Sequence, residues 1–143
     1  MEIELREIIG WASCYNRLNV IEFLHRHFGK SQIRNTWRNE ALRFASLNGH
    51  LDIIKFLVSE GANIHTNNDY PLRWASRFGH LDIVKFLVSK GANIHVLYDW
   101  ALRWASANGH LDVVKFLVSK GADIDYSLKY GTPKVKKYLK SLI

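Results

Sequence analysis

Three histidines, His50, His80 and His110, stand 30 residues apart, each directly after a glycine, and Arg43, Arg73 and Arg103 keep the same interval. Imidazole is the commonest metal-binding side chain, but its ligands must all reach one ion at about 2 Å. Equal positions in successive units of a regular array lie one element apart, about 10 Å for packed helices. The histidine ladder therefore reads as structural, and so do His65, His95 and Asp125, which meet the same objection. The arginines could hold a phosphate or an acidic partner, or else each stacks on an adjacent aromatic or bonds loop carbonyls. Cys14 is the single cysteine; a nucleophilic role needs a base and an orienting group, and neither stands nearby, so it reads as a packing residue. No Gly-rich phosphate loop, metal-ligand spacing or nucleophile and base pair occurs. The sequence is read as non-enzymatic, with no cofactor and no metal.

The spacing of those residues belongs to a repeat. Residues 41–65, 71–95 and 101–125 are three copies of one phrase, identical in all three at sixteen of 25 aligned positions. A fixed period in this range marks a solenoid, whose units bury their apolar faces only by stacking on neighbours. Within a copy, apolar residues recur at helical spacing twice, as in Leu72, Trp74, Ala75 and then Leu81, Ile83, Val84, Phe86, Leu87, Val88, so each unit is a helical hairpin. Gly49, Gly79 and Gly109 stop the first helix. Asp52, Asp82 and Asp112 fall in the first turn of the second, where the helix dipole favours negative charge. Gly61, Gly91 and Gly121 end it, and the next residues read as an extended exit.

These letters resemble the ankyrin repeat: GHLDIVKFLVSKGANI matches its second helix and exit, and Pro71-Leu72-Arg73-Trp74-Ala75 stands where the family has T-P-L-H-x-A. The phrases LRWAS and GHLDVVKFLVSKGA are most similar to ankyrin proteins of giant DNA viruses. The resemblance implies an all-α solenoid of stacked helix-turn-helix repeats with short projecting loops or hairpins, binding a protein through a concave face of loop tips and first helices. The chain departs from the family in a period of 30 rather than about 33, which clips the loop, and in Glu40, Tyr70, Trp100 for threonine and Arg43, Arg73, Arg103 for histidine. The linkage the family builds from threonine and histidine cannot form as usual.

The chain is read as a single domain: a degenerate N-terminal capping repeat over 1–36, full repeats over 37–66, 67–96 and 97–126, and a C-terminal cap over 127–143. Trp11-Ala12-Ser13 aligns with Trp74-Ala75-Ser76, and residues 29–39 read as a longer basic loop carrying Trp37. Thr132 is the expected N-cap and Pro133 the first residue of a cap helix over about 133–142, with Val135, Tyr138, Leu139 and Leu142 as its apolar stripe. The 17 residues after the last full repeat are too few for a further recruiting module such as some viral relatives carry, so a simple binder is expected.

Two ladders and the variable positions carry the binding candidates. Trp11, Phe44, Trp74 and Trp104 occupy one position in successive units; they read as a continuous inter-repeat core, or as a row of anchors. Positions that differ between copies are not fixed by packing: Asn67, Asn68, Asp69, Tyr70, Leu97, Tyr98, Asp99 and Trp100 at the tips, with Tyr126 to Tyr130 as a third tip, and Arg77, Phe78 and Asn108 at the ends of first helices. With Arg73 and Arg103, the tip and helix-end residues of the second and third full repeats form the expected partner-binding set. The aromatics among them suit an interface, or fold back as lids over the helices.

Net charge is +7 and the isoelectric point about 9.6. Lys129, Lys134, Lys136, Lys137 and Lys140 gather at one end and Arg17, Arg26, Lys30, Arg34 and Arg38 near the other. Nucleic acid or an anionic surface is thus the alternative partner, against the reading of solvated capping faces. The start, MEIELREIIGWAS, has no basic region before a long apolar run, so no signal peptide is expected. No run reaches the roughly 18 apolar residues that span a bilayer. The lone cysteine fits a reducing compartment, and a monomeric intracellular protein with an unidentified protein partner is expected.

Overall fold

The computed structural model describes residues 2–28 and 34–143, and the side chains of 4–28 and 36–143. Those residues form helices and turns without a strand: α1 (Glu2–Cys14), α2 (Leu18–Phe28), α3 (Arg34–Asn48), α4 (Leu51–Ser59), α5 (Thr66–Arg77), α6 (Leu81–Ser89), α7 (Val96–Ala107), α8 (Leu111–Ser119), α9 (Asp125–Tyr130) and α10 (Pro133–Lys140). Odd-numbered helices pack side by side in one layer, α1 on α3, α3 on α5, α5 on α7, α7 on α9, and α2, α4, α6, α8 and α10 form the second layer behind them. The expected stack of helical hairpins is present.

Each even helix from α4 to α8 has one apolar stripe, and the structure buries it fully: Ile53, Ile54, Leu57; Ile83, Val84, Leu87; Val113, Val114, Leu117. Each leucine in that column contributes about 1.5–3 kcal/mol by leaving water. The odd helices supply Leu42, Leu72 and Leu102 with Ala45, Ala75 and Ala105, all essentially inaccessible; alanine lets these neighbours approach closely. Ala12 and Ser13 are buried as Ala75 and Ser76 are.

Histidine ties consecutive hairpins. The Nε2–H of His50 donates to the Cys14 carbonyl at 2.7 Å, that of His80 to Leu47 at 2.9 Å, and that of His110 to Arg77 at 2.8 Å. Each ring satisfies a carbonyl that the preceding odd helix leaves without an intrahelical partner at its C-terminus. The last link differs in kind. There the Thr132 backbone N–H donates to Ser106 at 3.1 Å, and its side chain packs on Gly109 where the earlier units place a histidine.

Several expectations change. Exits from α4 and α6 are tight turns that enter the next helix directly, not extended segments. Trp37 lies in α3 and is buried, so the supposed basic loop is helical from Arg34; its residues 29–33 lie outside the described ones. Residues 126–130 are not a loop tip but most of α9, a shortened first helix. Thr132 occupies the N-cap position of α10 in an extended conformation but makes no capping bond with its side chain. The cap helix ends at Lys140, which leaves Leu142 exposed while Val135 and Leu139 are buried.

Candidate functional site

The loop shortened by three residues is closed by backbone of the opposite hand. Asn67, Asn68 and Asp69 have φ of 48°, 58° and 50°, and Leu97, Tyr98 and Asp99 have 53°, 58° and 59°. A left-handed turn thus opens α5 and α7 before the right-handed helix begins. Pro71 sits at that junction, where a helix start asks for no amide donor. Asparagine tolerates such φ values; leucine and tyrosine do not.

Arg73 holds the first of these turns. It is 8% exposed, and its guanidinium donates from Nε to Asn68 O at 2.8 Å and from a terminal nitrogen to Asn67 O at 2.7 Å. It also lies over the rings of Tyr70, at 5.5 Å, and Trp100, at 5.3 Å. Burial lowers its pKa, with Tyr70 and Asp69 opposing the shift. Both roles foreseen for an arginine in place of the family's histidine are therefore combined in one side chain. Arg103 differs. It stacks on Tyr126 at 4.3 Å and lies 5.9 Å from Tyr98, and its buried Nε has no hydrogen-bond partner. Arg43 leans on Phe44 at 4.4 Å and pairs with Glu40, which also binds Arg6 and raises the Arg6 pKa.

Asp69 and Asp99, read as tip residues, are turned inward instead, with 4% and 6% of their surface exposed. Asp69 accepts His65 Nδ1–H at 2.9 Å and the Asn93 amide at 3.1 Å; Asp99 accepts His95 Nδ1–H at 2.6 Å and the Asp123 amide at 3.0 Å. These carboxylates fasten the start of each odd helix to the exit of the even helix that follows. The rest of the tip is outward. Asn67, Asn68, Leu97, Tyr98 and Trp100 are exposed and Tyr70 is half-buried, 5.2 Å from Trp74.

At the other end of the same helices, the aromatic ladder is not a buried core. Trp11 is 50% exposed, and Phe44, Trp74 and Trp104 are half-buried. The rings do touch between units, Trp74 and Trp104 meeting edge to face at 5.4 Å, much nearer than the interval between helix axes because the long side chains lean together. Phe78 is exposed and stacks on Trp74 at 5.6 Å with planes 13° apart. Arg77 is wedged in this group, 4.9 Å from the Trp74 ring and 4.5 Å from that of Trp104. Asn108 donates its amide to the Trp104 carbonyl at 2.8 Å.

Exposed large apolar side chains are unevenly placed. Trp11, Phe78, Leu97, Tyr98, Trp100, Tyr126 and Tyr130 lie on or next to odd helices, and among the described residues α4, α6 and α8 carry none. Of the two readings of the tryptophan ladder, core or row of anchors, neither included the grouping of Trp74 and Trp104 around Arg77, for which the spacing (three residues back and one repeat on) was the available signal. Clefts that indent this layer include one of about 560 Å³ beside Arg6, Asn39, Glu40, Arg43 and Tyr70, one of about 360 Å³ beside Glu7, Trp11 and Phe44, and one of about 320 Å³ beside His95, Tyr98, Arg103, Asp123 and Tyr126. Among the described residues no three or more His, Cys, Asp or Glu side chains converge to hold a metal ion, and no helix is long and apolar enough to cross a membrane.

A family profile described as ankyrin repeats in three copies matches residues 9–98, and one described as an ankyrin repeat matches 98–127. None of the curated proteins matches the chain. Ankyrin repeats are generally protein–protein interaction modules. With almost all of the stacked hairpins inside the two matched spans, the chain belongs to the ankyrin-repeat family.

Proposed function

We propose that this chain is a non-enzymatic module that holds a partner protein against the odd-helix layer and its turn tips, acting as a monomer. The observation that carries this reading is Tyr98. It is 82% exposed and sits at φ 58°, between two further left-handed residues. A left-handed conformation costs a residue with a side chain roughly 1–2 kcal/mol. Within the fold, its ring makes only a distant contact with Arg103. Strain retained at an exposed aromatic points to use of that aromatic. Leu97 and Trp100 beside it, and Phe78 and Tyr126 on or next to neighbouring odd helices, extend the same surface. Among the described residues α4, α6 and α8 carry no exposed large apolar side chain, and of the helices in that second layer only α2 does, at Phe23 and Phe28.

Affinity in this reading comes from a few aromatic anchors, Tyr98 and Trp100 foremost, with Asn67, Asn68 and Asn108 orienting the partner. Asp69, Asp99 and Arg73 contribute by shaping the tips. The test compares capture by wild type, by Tyr98→Ala with Trp100→Ala, and by Lys134→Glu, Lys136→Glu, Lys137→Glu and Lys140→Glu together, at constant salt. Proteins retained by wild type and the lysine variant but lost by the aromatic variant support the proposal. Identical recovery by wild type and the aromatic variant sinks it. Loss confined to the lysine variant, with affinity falling steeply as salt rises, transfers the function to nucleic-acid binding by the basic end.

A further inference from the structure

We propose that Arg77 is the anchor for a carboxylate in an acidic segment of the partner protein, an inference that rests on the odd-helix layer being the binding face. Three observations converge on it. The guanidinium is held between the indoles of Trp74 and Trp104, with Phe78 at 5.7 Å. Those contacts confine the group between two rings, and among the described residues it makes no hydrogen bond or ion pair of its own. A planar fork of donors held in this way matches a carboxylate in two parallel hydrogen bonds. Little side-chain freedom remains to be lost on binding.

Charge on this face is complementary to an acid. Among the described residues, ion pairs join Arg6 and Arg43 to Glu40, His25 to Glu60, His65 to Asp69 and His95 to Asp99. Glu40 is paired with two arginines, Asp69 and Asp99 are taken up by hydrogen bonds from His65 and His95 within the fold, and Arg77 has no carboxylate. Asp123 and Asp125 stand by Arg103 at the opposite ends of the odd helices. Arg77 is the cation beside Phe78, and the nearest acid in sequence, Asp82, lies in the first turn of α6 and accepts the Ile83 amide.

Position makes the anchor singular. Leu47 and Ala107 occupy the equivalent places in α3 and α7, so one repeat alone presents a cation there. A stacking platform for nucleic-acid bases needs open ring faces, but Arg77 and Phe78 lie against the faces of Trp74, and Arg77 also lies over Trp104. The cation at the centre of this group makes it a surface for an anion rather than a stack of open faces for bases.

The probe is a short peptide of alternating glutamate and tyrosine, with its glutamine and tyrosine counterpart as control, titrated at about physiological ionic strength to suppress weak surface attraction. Tryptophan fluorescence and the nuclear magnetic resonance signals of the Arg77 and Trp104 side-chain N–H groups report binding. Expected are binding of the glutamate peptide alone, a loss of about tenfold in Arg77→Gln, as for a hydrogen bond to a charged group, and partial retention in Arg77→Lys. Lys136→Glu with Lys137→Glu leaves affinity unchanged, and circular dichroism shows Arg77→Gln folded. Equal affinity of wild type and Arg77→Gln, no binding of the peptide, or tighter Arg77-dependent binding of oligothymidylate overturns the proposal. If Tyr98→Ala with Trp100→Ala abolishes peptide binding while Arg77→Gln does not, the anchor is wrong and the binding face stands.

Discussion

A β-carbon placed on Gly79 would lie 2.5 Å from Nδ1 of His110, the ring whose Nε2–H binds the Arg77 carbonyl in the same turn. The glycine is thus required twice, by its φ of 77° and by the histidine of the next repeat. Gly91, with φ of 95°, has nothing within 4 Å of its missing side chain. Gly91→Ala should lose only the left-handed term, about 1–2 kcal/mol. Gly79→Ala should add the clash, giving about 2–5 kcal/mol. Urea unfolding of the two variants measures the difference, and equal losses would refute the interlock.

Arg73 and Arg103 occupy one position of the repeat and do different work. Arg73 binds two turn carbonyls, whereas Arg103 mainly stacks on Tyr126. Lysine cannot donate to both carbonyls from a planar fork. Arg73→Lys should therefore destabilise by about 1–3 kcal/mol and speed amide exchange around residues 67–69. Arg103→Lys loses a cation–π contact of about 0.5–1 kcal/mol. A reversed order of midpoints would contradict this assignment.

Asp99 is the other half of the same device. Its carboxylate takes the His95 ring proton and the Asp123 amide in a setting nearly closed to solvent. Hydrogen bonds to a charged group contribute about 1.5–3 kcal/mol. Asp99→Ala should lower stability by that amount and loosen the exit of α8. Asp82→Ala, at an exposed first-turn site of α6, should lose about 0.3–1 kcal/mol. Thermal unfolding of both variants at one pH separates the buried link from the dipole effect.

What the sequence disclosed, and what it hid, follows from how local each signal is. The hairpins were readable because glycine stops and apolar spacing act within one helix, as at Gly79 and in Ile83, Val84, Leu87. The turns were not. No propensity places Leu97 and Tyr98 in left-handed backbone; that conformation is tied to Asp99, which is anchored to His95 and to an amide 24 residues onward. Trp37 was hidden among polar neighbours that mask its helical register, and α9 because only six residues of it survive. The Arg77 cluster needs Trp104 from the following repeat, a contact that spacing hints at and only stacking creates.

Leu97 offers the sharpest separation of stability from use. It is exposed at φ 53°, whereas the same place in the preceding turn holds Asn67 at φ 48°. Branched apolar residues avoid this region and asparagine accepts it, so Leu97→Asn relieves strain without removing a core contact. The variant should gain about 1 kcal/mol, the range reached by substitutions that fit a native conformation better. If Leu97 belongs to the partner surface, the same variant should capture less partner while melting higher. Calorimetry and partner capture on one preparation decide the matter: a more stable protein with undiminished capture would leave the leucine without a binding role, and a less stable one would show that its side chain supports the turn.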